Sequence, residues 1–375
     1  MSMALESVIT LEQWAALPFH FWSVVFFVLG AVVGSFLNVC IHRMPLGLSV
    51  VSPPSHCPHC KYSIPGYLNL PLVTWLILRG RCRNCGAAIS VRYFVVEFLT
   101  GASFLACWLT FGHHSPALAL VYCLFLAGLT VAAFIDAEHF IIPDEITLGG
   151  VGVGVLCSFL VPALHGQRSL AESLKASFLG AAVGGGVIYF VLRMGKLLFG
   201  RQKVKLLPGT KIVFTETAIV LPDQVLPYED YFYRDSDVIA VNAQTVEMVD
   251  RGYKDVVVRL SPKKLRVGDD VFDPETVLCL EAVAGSLLLP REAMGLGDAK
   301  LMAAIGAFLG WPATVFCLFA SAVLGAVGGG LFILLQRGKG SRVLPYAPYI
   351  ATAAVIWVLG GDEMLDRMLH WLARR

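Results

Sequence analysis

The chain has 375 residues, of which 57% are hydrophobic and only 15% are charged, and its mean hydropathy is +0.71. Soluble domains carry roughly one-quarter charged residues, so this composition indicates a membrane protein. The formal net charge of +2 provides no electrostatic footprint for nucleic acid, and we expect no nucleic-acid partner.

Apolar runs that are long enough, or nearly so, to cross a hydrocarbon core of about 30 Å recur along the chain. They cover residues 18–41, 93–112, 117–135, 146–164, 176–199, 313–336 and 346–361, and a shorter run covers 299–311. The shorter run either crosses the bilayer or forms a buried re-entrant helix. Crossing is favoured because it keeps the cations after the next run on the cytoplasmic side. We therefore predict an all-α polytopic membrane protein with about eight transmembrane helices.

The distribution of cations orients these helices. The loop at residues 42–92 holds six Lys and Arg residues, whereas the loop at 113–116 holds none. The positive-inside rule places the cation-rich loop in the cytoplasm, after the first transmembrane helix in residues 1–41. Alternation from there places residues 200–281, Asp136 and Asp298 on the same cytoplasmic side.

Four cysteines in the first cytoplasmic loop form two Cys-x-x-Cys pairs. Cys57 and Cys60 are followed, after 21 intervening residues, by Cys82 and Cys85. Four thiolates at this spacing can surround one tetrahedral zinc ion, whereas a reducing cytosol disfavours disulfides. We predict a structural Zn²⁺ in a zinc-binding domain at residues 42–92. Four sulfur ligands would leave this metal no open position for catalysis.

Residues 201–281 have a soluble composition with balanced charge. Short β-type runs, such as residues 237–241 and 255–260, alternate with turn sequences such as Pro208-Gly209. This pattern predicts a small β-rich cytoplasmic insertion without a catalytic motif. The insertion separates residues 93–200, with transmembrane helices two to five, from residues 282–375, with helices six to eight.

Two aspartates lie at the ends of apolar runs. Asp136 follows the run at 117–135, and Asp298 precedes the run at 299–311. Ionisable groups beside hydrocarbon are functional candidates, because burying a carboxylate is costly. Two carboxylates a few ångströms apart share one proton, so that one activates water while the other polarises a scissile carbonyl. If the fold brings these residues together, the chain has the catalytic groups of an aspartyl protease.

The residues around Asp298 are candidate supporting groups. Gly295 and Gly297 remove two side chains from this segment, which would let an extended substrate backbone approach Asp298. The alternative is a helix start that Asp298 caps, and the two roles are compatible. Lys300 offers a counter-charge to the aspartates or reaches to the membrane interface.

Two further acidic residues have two interpretations each. Asp144 follows a proline and is most simply a helix N-cap, the alternative being a direct role in the site. Glu97 lies near the start of the run at 93–112 and requires a partner if it is buried. It either pairs with Arg92 or another cation of the zinc loop, or supports a functional site.

The ordered motifs of the chain resemble those of the type IV prepilin peptidases, which are membrane aspartyl proteases of the GxGD class. The resemblance covers residues 34–163 and 285–361. It rests on Gly34-Ser-Phe-Leu-Asn38 continuing to Pro45, the paired cysteines, Asn69-Leu-Pro71, Trp75, Arg92-Tyr93, Glu97, residues 136–144, and Gly295-x-Gly-Asp298-x-Lys300. Members of this family are shorter before the glycine motif, so the insertion lies outside the pattern.

The resemblance implies that Asp136 and Asp298 are the catalytic pair. It implies cleavage of a short basic leader after glycine, from type IV prepilins or type II secretion pseudopilins, at the cytoplasmic face of the bacterial inner membrane. Many members then methylate the new N-terminus with S-adenosylmethionine. Asn38, His42 and Arg43 lie in a region associated with these bifunctional members, or they support folding around the zinc loop. The pilus or type II secretion assembly machinery is an expected partner.

Two other functional classes share some of these features. A transporter or proton relay also uses acidic residues in helices, but its carboxylates usually lie near the bilayer midplane. Asp136 and Asp298 lie instead at predicted helix ends. A zinc-dependent scaffold would explain the cysteines but leaves the Gly-x-Gly-Asp motif without a role.

Overall fold

The computed structural model describes residues 18–199, 201–228, 231–232, 237–248, 251–277, 279–290, 295–335 and 344–361. The chain divides into two compact units. One consists of Met1–Ile188 and Leu296–Arg375, and the other of Tyr189–Gly295. The first is helical, and the second contains the sheet.

Within the described residues, eight α-helices can be numbered in chain order. They are α1 Phe19–Arg43, α2 Val73–Ile77, α3 Val91–Phe111, α4 Pro116–His139, α5 Asp144–Leu160, α6 Leu170–Phe199, α7 Leu296–Leu335 and α8 Ala347–Ile356. Of these, α1, α3, α4, α6 and α7 are long and apolar enough to cross a membrane. Helix α5 has only 17 residues and α8 only 10. The polytopic membrane protein is confirmed, and the number of eight crossings stays a prediction.

Helix α7 joins two apolar runs that the hydropathy pattern separates. Its 40 residues include the short run at 299–311 and the longer run at 313–336 up to Leu335. The two parts meet at Gly310, whose backbone angles are φ 79° and ψ 175°, and Pro312 follows two residues later. Glycine adopts this positive φ without steric cost, and proline fits the first turn of the helix that resumes after it. The break therefore follows from the local sequence.

Small residues allow α7 to pack closely against α6. A Cβ atom added at Gly306 would lie 2.0 Å from the carbonyl oxygen of Gly180, and one added at Gly184 would lie 2.2 Å from that of Met302. The Ser177 hydroxyl donates a hydrogen bond to the carbonyl of Ala307 at 2.8 Å. Close approach of this kind is how small residues stabilise helix pairs in membranes.

We expect Gly306→Val to separate α6 from α7 and to lower the thermal unfolding temperature of the protein in detergent. The added side chain would overlap the backbone of α6, and overpacking of this kind costs about 1–3 kcal/mol. The matched control is Gly152→Ala, because a Cβ atom at Gly152 has no neighbour within 4 Å among the described residues. Equal unfolding temperatures for the two variants would contradict the tight helix pair.

The second unit contains one eight-stranded sheet with the order β3-β2-β1-β8-β4-β5-β6-β7. Its strands are β1 Arg201–Phe214, β2 Ala218–Val220, β3 Val225–Pro227, β4 Ile239–Glu247, β5 Gly252–Ser261, β6 Lys264–Val267, β7 Asp270–Phe272 and β8 Leu280–Pro290. All the neighbouring strands run antiparallel. The β-rich insertion is confirmed.

The first and last strands of the sheet are neighbours. Strand β1 pairs with β8 from Arg201 opposite Pro290 to Phe214 opposite Leu280. The sheet therefore ends nine residues after the expected boundary at residue 281. Leu280, Ala282 and Leu287 are buried in the core of this unit. Their apolar character makes β8 similar in sequence to the start of a membrane segment, which explains the displaced boundary.

Candidate functional site

The four predicted zinc ligands lie together. The Sγ atoms of Cys57, Cys60, Cys82 and Cys85 are all within 4.8 Å of one another. The Cys57–Cys85 and Cys60–Cys82 separations are both 3.9 Å. A tetrahedron with zinc–sulfur bonds of about 2.3 Å has sulfur–sulfur edges of about 3.8 Å, so the cluster fits a Zn²⁺ ion.

Each cysteine pair lies in a tight turn. Lys61 N–H donates to the Cys57 carbonyl, and Gly86 N–H donates to the Cys82 carbonyl, both at 2.9 Å. The residues after the pairs, Lys61 and Gly86, both have positive φ, of 58° and 70°. Hydrogen bonds to the Cys60 Sγ, first from the Asn84 amide at 3.5 Å and then from the backbone of Tyr62, lower the pKa of the Cys60 thiol to about 6. This favours the thiolate form that zinc binds.

Asp136 lies in the last turn of α4, which continues to His139 before Phe140 ends it in the left-handed conformation. The expected loop therefore begins four residues later than the apolar run suggests. Asp136 is only 7% exposed. Its Oδ2 accepts a hydrogen bond of 2.9 Å from the backbone N–H of Ala347, the first residue of α8. The α8 start thus fixes one oxygen of this carboxylate.

Asp298 is the third residue of α7 and is also 7% exposed. The helix begins at Leu296, so Asp298 lies inside its first turn and is not the N-cap. Gly297 is helical too, and a Cβ atom there would lie 3.2 Å from the Cβ of Ile142. The absence of a side chain at Gly297 therefore brings α7 against the loop between α4 and α5. Gly295 precedes the helix.

Asp144 is not the N-cap of α5, because Pro143 occupies the cap position and Asp144 is the first helical residue. Its Oδ1 instead accepts a hydrogen bond from Lys300 Nζ at 2.6 Å. Both side chains are well exposed, at 58% and 36%. Lys300 therefore pairs with Asp144, and this pair connects the start of α5 to the start of α7.

The contacts between α5 and α7 show that these two helices run in the same direction. Asp144 contacts Lys300, a Cβ atom at Gly150 would lie 3.1 Å from Ala304, and one at Gly154 would lie 2.8 Å from Ala307. The residue numbers of the contacting positions therefore increase together along α5 and α7. The start of α5 and the start of α7 therefore lie at the same end of the helical unit.

The end of α4 lies at this same level. The ring centroids of Phe125 in α4 and Phe308 in α7 are 4.8 Å apart. Phe125 lies about three helical turns before Asp136, and Phe308 about three turns after Asp298. The short loop between α4 and α5 reverses the chain direction, so α4 is antiparallel to α7. Asp136, near the C-terminus of α4, and Asp298, near the N-terminus of α7, thus lie at the same end of the helical unit.

The expected ion pair between Glu97 and Arg92 is not formed. Arg92 Nη1 pairs with Glu138 Oε2 at the end of α4. Glu97 is 7% exposed, and its Oε2 accepts a hydrogen bond of 2.7 Å from the backbone N–H of Leu72. The contact anchors the residue before α2, which lies between the two cysteine pairs, to helix α3. Arg92 and Glu97 are five residues apart on α3 and therefore face different sides of the helix, whereas only residues three or four apart are neighbours.

The three residues of the expected methylation region differ in their surroundings. Asn38 is 1% exposed, and its Nδ2 donates to the carbonyl of Tyr93 at 3.1 Å. Arg43 is buried and donates to the carbonyls of Ser49 and Pro53 at 3.0 and 2.7 Å. His42 is exposed. Arg43 therefore supports the start of the zinc loop, whereas Asn38 joins α1 to α3.

One functional contact has no motif of its own in the sequence. The N–H of Ala347 reaches Asp136 across 211 residues of chain. Pro345 and Pro348 flank it, and a proline in the first turn is a signal for a helix start. The two prolines could therefore have located the beginning of α8 from the sequence. They could not have shown that this helix start contacts Asp136.

Comparison with known proteins identifies two family matches. Residues 28–111 match the family model described as the Bacterial Peptidase A24 N-terminal domain. Residues 123–221 and 267–330 match the model described as the Type IV leader peptidase family. Together the matches include the four cysteines and both aspartates, and they cover more than half of the 375 residues.

Several curated relatives are similar to the chain. A protein of Aeromonas hydrophila named Prepilin leader peptidase/N-methyltransferase is 28% identical over 379 residues, covering 94% of this chain and 96% of the relative. A protein of Myxococcus xanthus with the same name is 44% identical over 176 residues, covering 45% and 49%. The Type 4 prepilin-like proteins leader peptide-processing enzyme of Escherichia coli O78:H11 is 38% identical over 169 residues, covering 40% and 61%. No solved structure gives a significant match.

Proposed function

The chain belongs to the type IV leader peptidase family, and from this premise we propose that it is a membrane aspartyl endopeptidase and N-methyltransferase. It removes the basic leader of type IV prepilins or type II secretion pseudopilins after a glycine, and then methylates the new N-terminus. A proton relay is not favoured, because both aspartates lie at helix ends.

The peptidase assignment rests on the contact between the two segments that contain Asp136 and Asp298. Gly297 lies against Ile142, and Lys300 pairs with Asp144. These contacts join the loop after Asp136 to the turn that contains Asp298. They support a shared site in which both carboxylates face one water molecule.

In this mechanism the two carboxylates hold one proton between them. The backbone N–H of Ala347 orients the Asp136 carboxylate through its Oδ2, and the dyad positions the attacking water. The ionised carboxylate takes a proton from this water, while the protonated one donates a hydrogen bond to the scissile carbonyl. Collapse of the tetrahedral intermediate then breaks the carbon–nitrogen bond, and the leaving amine receives the proton.

The four cysteines would hold a zinc ion in a structural role, because four thiolate ligands would leave it no open position for a substrate. When bound, S-adenosylmethionine supplies a methyl group: the amine nitrogen bonds the methyl carbon, sulfur keeps the electron pair, and one amine proton leaves to solvent. The residues of this chain bind and orient the new N-terminus for that transfer.

The proposed location is the bacterial inner membrane with eight crossings, and with both insertions and the active site in the cytoplasm. The cation-rich loop at residues 42–92 supports this orientation. Pilus or type II secretion assembly components are proposed partners. Eight crossings would consist of α1, α3, α4 and α6, the shorter helices α5 and α8, and the two parts of α7 on either side of Gly310.

A single experiment tests both proposed reactions. The purified protein in detergent is incubated with a prepilin, with and without S-adenosylmethionine, and the product N-terminus is analysed by mass spectrometry. We expect cleavage after glycine in both samples and an added mass of one methyl group only with the methyl donor. Recovery of only intact prepilin from a correctly folded preparation would contradict the peptidase assignment.

We expect the β unit to be dispensable for cleavage. Gln202 and Leu289 are cross-strand partners in β1 and β8, so their backbones are adjacent. Residues 203–288 can therefore be replaced by an Asn-Gly turn, which favours a tight hairpin. Leader cleavage should remain within about threefold of the full chain, since this family's catalytic motifs lie outside the insertion. A folded deletion variant without cleavage would show that the sheet takes part in catalysis.

A further inference from the structure

The start of α8 contacts the Asp136 carboxylate through two backbone groups. The N–H of Ala347 donates to Oδ2 at 2.9 Å, and the N–H of Tyr346 also donates to the carboxylate. Tyr346 is the N-cap of α8, and Ala347 is its first helical residue. The N–H groups at the start of a helix have no partner within the helix, so they can bind this acceptor. The orientation of Asp136 therefore depends on where α8 begins.

A side-chain hydrogen bond attaches the start of α8 to α7. The Tyr346 hydroxyl lies 3.0 Å from the Oγ of Ser321. Ser321 is 1% exposed, and its own hydroxyl donates to the carbonyl of Leu318 at 3.1 Å. A serine hydroxyl has only one proton, so Tyr346 is the donor and Ser321 the acceptor in this pair. The same tyrosine thus contributes its backbone to Asp136 and its side chain to α7.

Glycines of α7 allow two tyrosine rings of α8 to pack against it. A Cβ atom added at Gly325 would lie 3.4 Å from the ring of Tyr346. One added at Gly328 would lie 2.7 Å from the hydroxyl oxygen of Tyr349. The centroids of the two rings are 6.4 Å apart. The start of α8 therefore packs against the second part of α7, after the break at Gly310.

Helix α7 is thus connected to both aspartates. Its first part carries Asp298, and its second part, after the break at Gly310, holds the α8 start that bonds Asp136. Ser321 lies far along the helix from Asp298, so its connection to the site runs through Tyr346. Breaking this connection would leave Asp298 in place and would let the backbone donors of Asp136 shift.

We propose that Tyr346 and Ser321 are positioning residues of the peptidase site, an inference that rests on the proposed peptidase function. Their hydrogen bond holds the start of α8 so that its N–H groups orient the Asp136 carboxylate. Neither side chain touches the substrate. A carboxylate exchanges a proton with water only within hydrogen-bond reach, and a misplacement of about 1 Å can cost about 10²-fold in rate. Loss of this hydrogen bond therefore slows the chemical step and leaves substrate binding unchanged.

The test is steady-state cleavage of a prepilin by the full-length protein in detergent. Tyr346→Phe removes the hydroxyl and keeps the ring against α7. We expect it to lower kcat about 5- to 20-fold while KM stays within about twofold, as for an interaction that acts only in the transition state. The thermal unfolding temperature should fall by no more than about 2–4 °C, since one hydrogen bond contributes little net stability. A merely structural role would lower stability without this selective loss of kcat.

The matched control is Tyr349→Phe, the same change one turn later on the same face of α7. Among the described residues the Tyr349 hydroxyl has no hydrogen-bond partner, so kcat and KM should stay as in the unaltered protein. Ser321→Ala removes the acceptor of the proposed pair and should lower kcat by a factor similar to that of Tyr346→Phe. The double variant should be no more than about twofold slower than either single one, because both changes break one hydrogen bond.

The outcomes separate this inference from the proposed function. An unchanged kcat in folded Tyr346→Phe, or an equal loss in Tyr349→Phe, would overturn the positioning role while the peptidase assignment stands. Losses that multiply in the double variant would overturn it too. If Tyr346→Phe does not fold, Ser321→Ala carries the test with the same expected result. If the unaltered protein does not cleave prepilin, the proposed function itself fails.

Discussion

Asp136→Asn is expected to abolish leader cleavage while leaving the protein folded in the membrane. Asparagine has the shape of aspartate and its oxygen can still accept the Ala347 N–H, which is 2.9 Å from Asp136 Oδ2. It cannot take a proton from water. Loss of a general base typically costs about 10²- to 10⁴-fold in rate. Asp298→Asn should have an effect of the same order, because the carboxylates act as one unit.

Initial cleavage rates of a prepilin in detergent, quantified by mass spectrometry, provide the measurement. Glu145→Gln serves as the carboxylate control, because this exposed residue lies next to Asp144 but outside the proposed dyad. Asp136→Ala adds a structural comparison. It would leave the Ala347 N–H unpaired and should lower stability by about 1–3 kcal/mol relative to Asp136→Asn. Cleavage by either asparagine variant at more than one-tenth of the original rate would refute the dyad.

The elements that hydropathy and motif spacing determine locally could be predicted from the sequence. The Cys-x-x-Cys pairs indicate a metal centre because each pair closes its own turn, and the Sγ atoms indeed lie within 4.8 Å of one another. Asp136 and Asp298 stand out because each follows or precedes an apolar run. The β strands could be predicted from short β-type runs between turn sequences, and in β4 buried positions recur along most of the strand.

Contacts between distant segments could not be predicted in this way. The sequence offers Arg92 or another cation of the zinc loop as the partner of a buried Glu97, but tertiary packing brings Glu138 to Arg92. Asp144 follows a proline that itself takes the cap position, so its side chain is available to Lys300. Leu72 and Ala347 hold Glu97 and Asp136 through their backbone N–H groups, which every residue except proline has. A backbone donor can belong to almost any residue type, so the sequence contains no pattern that identifies it.

Replacing both Cys57 and Cys60 by serine is expected to remove the bound zinc and to loosen the loop between the cysteine pairs. Serine hydroxyls are poor zinc ligands, and two remaining thiolates cannot complete a tetrahedral site. Structural zinc contributes an apparent binding free energy of about 10–16 kcal/mol in small zinc domains, much of which is folding free energy. We therefore expect zinc content to fall from one ion per chain to background, measured by inductively coupled plasma mass spectrometry.

The loosening should be local, because residues between the cysteine pairs have a second anchor. Leu72 donates to Glu97, and the Trp75 ring packs on Phe94, so α2 stays attached to α3 when the metal is lost. Limited proteolysis should then cut first near the two cysteine turns, where Lys61 is held by its bond to Cys57. Cys279→Ser is the control, because Cys279 lies in the other unit, outside the cluster. Unchanged zinc content in the double variant would refute the metal assignment.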